Sequence, residues 1–118
     1  MDPFAELTRQ VLAFRDERNW AQFHSLRNLI VSLNLEAAEL LELTQWKSDE
    51  EIAVLAADAR TREALSDECA DVLIYLLLVA NKAGIDLDRA AQRKLEKNAT
   101  RYPVARSYGS SRKASRTD

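Results

Sequence analysis

The sequence predicts an all-α protein, a helical bundle of four to five helices that assembles as a dimer or tetramer. Three observations predict it. Only two glycines and two prolines occur in 118 residues, and both prolines, Pro3 and Pro103, lie near the ends; a middle so free of breakers favours long helices over many short strands. Apolar residues recur at helical spacing rather than in alternation. The stretch from Thr61 to Ala83 is apolar around most of its girth, more than one small chain covers by itself, so a second copy is expected against it.

Each element has its own signals. Asp2-Pro3 starts the first helix with a cap residue and a proline in the first turn; Phe4, Leu7, Val11 and Phe14 then recur on one face, to an end near Asn19. Trp20 to His24 reads as a connector. Ser25 caps a second helix running to about Gln45. Lys47-Ser48-Asp49 is a polar break, and Asp49 is expected to cap a shorter helix over Ile52 to Ala57. A long helix follows from about Thr61 to Ala83, with Gly84 in the left-handed conformation that ends helices. Asp86 caps a last helix to about Thr100, and Pro103 forbids its continuation. Residues 1–103 therefore read as one domain. Residues 104–118 read as a flexible Ser/Arg-rich tail without an apolar pattern.

Composition narrows the function classes. Apolar residues make up 47% and charged residues 31%, as in a soluble globular chain. The net charge of −2 gives no global basic field to attract a nucleic-acid polymer. Basic residues gather after Arg89 and acids before it, an asymmetry suited to a polyanion held by metals on one side and cations on the other. The longest apolar run, Val72 to Ala80, falls far short of the ~20 residues that cross a membrane. Met1-Asp2-Pro3 lacks the basic start of a secretory leader, so a cytoplasmic protein is expected. The single cysteine, Cys69, allows no internal disulfide and is expected to be a small buried residue.

The acids carry the chemistry. At about 100° per residue, Asn28, Glu39 and Trp46 fall near one line of the second helix, with Ser32, Glu36 and Glu42 beside it and Leu, Ile, Val or Ala around most of the rest. The long helix repeats the design, with Glu68, Asp71, Tyr75 and Lys82 on one stripe. Glu36–Glu39 and Glu68–Asp71 are thus side-by-side i, i+3 pairs. One such pair alone is ordinarily a solvated face. Two pairs facing each other across an apolar bundle cost several kcal/mol in desolvation and repulsion unless something positive lies between them. Hard oxygen ligands on a rigid frame suit Mg²⁺, with Mn²⁺ as the alternative. A di-iron bundle needs Glu-x-x-His motifs, and the one histidine, His24, is in none.

Glu36-x-x-Glu39 followed after 28 residues by Glu68-x-x-Asp71 resembles the signature of the MazG-like all-α nucleoside triphosphate pyrophosphohydrolases. The flanks, Asp16 to His24, Arg27-Asn28-Leu29, Gln45-Trp46-Lys47, Asp71 to Tyr75, Asn98 to Pro103 and the tail Ser110 to Lys113, are similar to the dCTP pyrophosphatase branch, so the resemblance covers nearly the whole chain. It implies an enzyme that hydrolyses dCTP, and modified forms such as 5-methyl-dCTP, to dCMP and pyrophosphate. It implies Mg²⁺ held by Glu36, Glu39, Glu68 and Asp71, with Glu39 or Glu42 orienting or deprotonating the water. Trp20, His24, Trp46 and Tyr75 would hold the base, Asn28 the sugar or base, and Lys94, Asn98 and Arg101 the phosphates, with Tyr102 beside them as a further substrate-binding residue. Family members are dimers or tetramers whose sites draw on more than one subunit. Two alternatives stay open: the same chemistry on dUTP, dTTP or a damaged nucleotide, and a non-catalytic helical oligomerisation module.

Overall fold

A computed structural model describes residues 2–114. Among them are six α-helices and no strand: α1 (Ala5–Glu17), α2 (Leu26–Glu42), α3 (Asp49–Ala57), α4 (Ala59–Ala83), α5 (Leu87–Arg101) and α6 (Val104–Ser107). A 3-10 turn over Ala21–Phe23 lies between α1 and α2. Among the described residues no helix is long and apolar enough to cross a membrane.

Local chemistry places most boundaries. The Ser25 side chain accepts the N–H of Asn28 and opens α2. The Asp86 carboxylate accepts the N–H of Arg89 and opens α5. Gly84, at φ 69°, closes α4, and the N–H of Ile85 reaches back to the carbonyl of Ala80, the bond of a Schellman turn. The same motif closes α1 with an asparagine in the glycine position. Asn19 has φ 55°, its N–H donates to Asp16 and that of Trp20 to Arg15.

The structure corrects the sequence reading at several places. Helix α1 begins at Ala5 behind Phe4, without a side-chain cap, and the Asp2 carboxylate accepts the Phe4 N–H. Helix α2 stops at Glu42 rather than near Gln45, and the Thr44 hydroxyl donates to the Leu41 carbonyl. The cap of α3 is Ser48, not Asp49; Ser48 and Glu51 satisfy each other's backbone N–H in a capping box. Helix α4 begins at Ala59, capped by Asp58. The tail opens with the helical turn α6 and returns to the end of α5, where the Ala114 N–H donates to the Tyr102 hydroxyl over 3.0 Å and the Arg101 guanidinium to the Ala114 carbonyl over 3.2 Å. The last part of the expected tail, residues 115–118, lies outside the described residues.

Helix α4 is the axis of the fold, with α2 packed along it and α1 and α3 docked against it. The core is the seam of these helices: Leu29, Leu55, Leu77, Leu78 and Ala80. Leu29 and Leu77 are each 2% exposed, and truncating such a leucine to alanine costs about 2–5 kcal/mol. The Thr61 hydroxyl, donating to Leu55 over 2.6 Å, ties α3 to α4. No residue of α5 is buried. The chain is open: its radius of gyration is 17.8 Å, against about 13.5 Å for a compact chain of this length. Its surface is 9464 Å², against about 6,500 Å² for a compact protein of this size. Ile30, Val31, Leu35 and Leu41 of α2 and Leu95 of α5 stand exposed. So does Cys69, contrary to the sequence reading: helical periodicity shows that a face is apolar, not which neighbour covers it.

Candidate active site

Glu36 and Glu39 lie one turn apart on α2, and Glu68 and Asp71 one turn apart on α4. Packing α2 along α4 brings the pairs together. Glu36, Glu39 and Glu68 each offer a carboxylate oxygen, and these oxygens all lie within 4.8 Å of one another. Oε2 of Glu36 and Oε2 of Glu68 are buried, without a hydrogen-bond partner among the described residues. Burial pushes the Glu36 carboxyl above the ordinary carboxylate range, and the charges of Glu39, Asp71 and Glu68 push it the same way. Burial likewise raises Glu68, helped by Glu39, Asp71 and Asp67. Buried acceptors without donors and carboxylates that resist losing their protons are the marks of a place that takes a cation. The ligand set, oxygen only, fits a hard divalent ion.

A cavity of about 470 Å³ opens beside the acids, and Glu36 and Asp71 form part of its wall. Helix α1 contributes Leu7, Gln10, Val11, Phe14 and Arg15; α4 adds Ile74, Tyr75 and Leu78; the connector adds Trp20 and His24. The Schellman turn at Asn19 sets Trp20 back against α1, where its ring meets Phe14 edge to face at 5.9 Å. Arg18 covers the Phe14 ring, with its guanidinium carbon 3.6 Å from the ring centre. The Asn28 side chain donates to the Phe23 carbonyl and so fixes the 3-10 turn just before His24. Burial, then the charges of Arg15 and Lys82, holds the His24 imidazole below its ordinary range, so the ring is neutral at neutral pH. An acidic cluster thus adjoins an aromatic-walled cavity, an arrangement that can hold a cation-bound anion at one end and a flat ring at the other.

The structure places the remaining sequence candidates elsewhere in the single chain. Trp46, in the turn after α2 with φ 63°, is off the helical stripe and 92% exposed. Glu42, the last residue of α2, is exposed and outside the three-acid cluster. Asn28 serves the connector. Lys94 and Asn98, on α5, do not line the aromatic cavity. Arg101 and Tyr102 line a separate cavity of about 150 Å³ at the end of α5, closed by Arg106, Arg112 and Lys113 of the returning tail. Seven wall residues escaped the sequence reading of the site: Leu7, Gln10, Val11, Phe14, Arg15, Ile74 and Leu78. Phe14 carried a signal as part of the apolar face of the first helix; Arg15 carried none.

The chain is similar to known proteins along most of its length. The model of the MazG-like family matches residues 31–116. dCTP pyrophosphatase 1 of Rattus norvegicus is 46% identical over 110 residues, covering 92% of this chain and 65% of that protein. The Homo sapiens protein of the same name is 43% identical over 113 residues, covering 95% and 66%. The chain therefore spans slightly less than two thirds of the length of these relatives. The crystal structure of a pyrophosphatase from Archaeoglobus fulgidus DSM 4304 superposes with a TM-score of 0.75 at 46% identity, covering 83% of this chain and 90% of that one.

Proposed function

The chain belongs to the MazG-like family, and from that premise we propose that it is a nucleoside triphosphate pyrophosphohydrolase that uses Mg²⁺ to convert dCTP, and C5-modified forms such as 5-methyl-dCTP, to dCMP and pyrophosphate. The observation that carries the reading is the shared wall: Glu36 belongs both to the acidic cluster and to the aromatic cavity. The names of the relatives supply the nucleotide.

Glu36, Glu39 and Glu68, with Asp71 beside them, would hold Mg²⁺, and the ion would supply charge compensation for the triphosphate and favour ionisation of water. Glu39, exposed in the cluster, is placed to orient that water and take its proton; Glu42, one turn further on, is the second choice. Water attacks the α-phosphorus and the bond to the β-phosphate breaks, so pyrophosphate leaves and dCMP remains. Trp20 and Tyr75 offer ring faces or edges to the pyrimidine. The apolar wall residues Leu7, Val11, Phe14 and Ile74 would accept the methyl group of a C5-modified base turned towards them.

The protein works as a dimer or tetramer in this reading. Its surface exceeds that of a compact chain by about 3,000 Å², and the exposed apolar residues of α2 and α5 are the part a second copy covers. Assembly also gives Trp46, Lys94, Asn98, Arg101 and Tyr102 a route to the site, each from a neighbouring copy. The test is a panel of all canonical nucleoside and deoxynucleoside triphosphates with Mg²⁺, with nucleotide products and pyrophosphate quantified. Preferential release of dCMP supports the reading; a preference for dUTP or dTTP moves the substrate; no turnover of any nucleotide removes it.

A further inference from the structure

Among the described residues, Arg15 is the only permanently charged cation in the wall of the aromatic cavity, whose other charged residues are Glu36 and Asp71. It is held rather than loose. Its Nε donates to Oδ1 of the neighbouring Asp16 over 2.8 Å, and its Nη2 lies 2.8 Å from the same oxygen. Its side chain is 22% exposed, while that of Asp16 is 58% exposed. Asp16 therefore occupies one edge of the guanidinium from the solvent side. Among the described residues no acceptor is bonded to the end-on edge, which offers two parallel donors, an N–H from Nη1 and one from Nη2.

Two parallel donors match two adjacent acceptors. On the pairing edge of cytosine, O2 and N3 are such a pair. On uracil and thymine, N3 carries a hydrogen and meets a guanidinium donor head-on. A triphosphate in the acidic cluster offers oxygens as well, but a cation spent on phosphate gains equally from every nucleotide. The aromatic wall around Arg15 points instead to the ring end of the substrate. We infer that Arg15 is a base-reading residue that selects cytosine over uracil and thymine by bidentate donation to O2 and N3. The inference rests on the proposed function and deepens it, since it assigns the discrimination to one side chain that Asp16 positions.

The test measures binding and turnover separately. Dissociation constants are determined by calorimetry, with Mg²⁺, for the non-hydrolysable α,β-imido analogues of dCTP and dUTP, on wild type, Arg15→Ala and Arg15→Lys; kcat/KM is measured for dCTP and dUTP on the same proteins. A good bidentate pair discriminates by about 10- to 100-fold. The expected result is a loss of that order for the cytosine analogue in both variants, with the uracil analogue little changed, so the preference collapses. Lysine keeps the charge but not the paired donors, so it does not restore the preference. Equal losses for both analogues, or rescue by lysine, overturn the inference in favour of a phosphate contact. Selective cytosine binding without hydrolysis in wild type, abolished in the variants, would sustain the inference while defeating the proposed activity. Wild type that binds neither analogue defeats both.

Discussion

Glu36 on α2 and Glu68 on α4 face each other across the helix seam, each with one carboxylate oxygen buried and unpaired. In the metal-free protein this is a destabilising arrangement. Glu36→Gln and Glu68→Gln are each expected to raise the melting temperature of the metal-free protein by a few degrees, since about 1 kcal/mol corresponds to roughly 4 °C in a domain of this size. In the same variants the stabilisation by Mg²⁺ is lost, and dCTP hydrolysis falls by at least about 100-fold, or ~2.7 kcal/mol. Scanning calorimetry with EDTA and with Mg²⁺ checks the first two. Variants that melt lower without metal would contradict the strained-pair account.

The same pair fixes a pH dependence. Both carboxyls have folded-state pKa values raised above 4.5. As pH rises from that value the unfolded chain gives up these protons first, the folded chain holds more, and stability falls until both groups are ionised. His24 acts in the opposite sense. Its pKa is lowered from 6.5, so as pH falls through 6.5 the unfolded chain binds the proton first and stability is lost. Subtracting the profile of the Glu36→Gln/Glu68→Gln double variant from that of wild type, both in EDTA, isolates the carboxyls. The difference is expected to grow more unfavourable to wild type above pH 4.5 and then level off. A difference that moves in favour of wild type would contradict it.

Trp20 is expected to matter for the base and not for the metal. A ring stacked on a base contributes about 1–3 kcal/mol. Trp20→Ala should therefore weaken binding of a non-hydrolysable dCTP analogue by roughly 10-fold or more, while Mg²⁺ titrated alone still raises the melting temperature as in wild type. Loss of the metal effect as well would mean that Trp20 supports the fold instead of the ligand.

Trp46 holds a left-handed backbone and an almost fully exposed side chain. That conformation costs a non-glycine residue about 1 kcal/mol, and strain of this kind is commonly kept where it serves a site. Trp46→Gly should leave the metal-free protein as stable or more so, yet lower kcat/KM for dCTP by about 2- to 10-fold, the value of a lost ring contact. If the variant is as active as wild type, Trp46 belongs only to the surface.

What the sequence made legible was local or periodic. Ser25, Gly84 and Asp86 act through groups within a few residues, so their roles could be read directly. The i, i+3 spacing put each acidic pair on one helix face before any packing was known. Ser48 was legible too, through the Ser48-x-x-Glu51 pattern, but the adjacent Asp49 competed with it. Trp46 was misplaced because the helical stripe was carried through Leu43 to Gln45, where the chain turns. The exposure of Cys69 depends on which faces of α4 other helices cover. The presence of Arg15 in the cavity depends on how α1 docks on α4. Neither follows from spacing within one helix.

The most direct test of the central claim identifies the bond that is cleaved. Wild-type protein is incubated with dCTP and Mg²⁺, the products are followed by ³¹P NMR, and the run is repeated with Glu39→Gln. Wild type is expected to give dCMP and pyrophosphate in equal amounts, with no dCDP at any time, and the variant almost no turnover. Appearance of dCDP with orthophosphate, or full activity of Glu39→Gln, would contradict the claim.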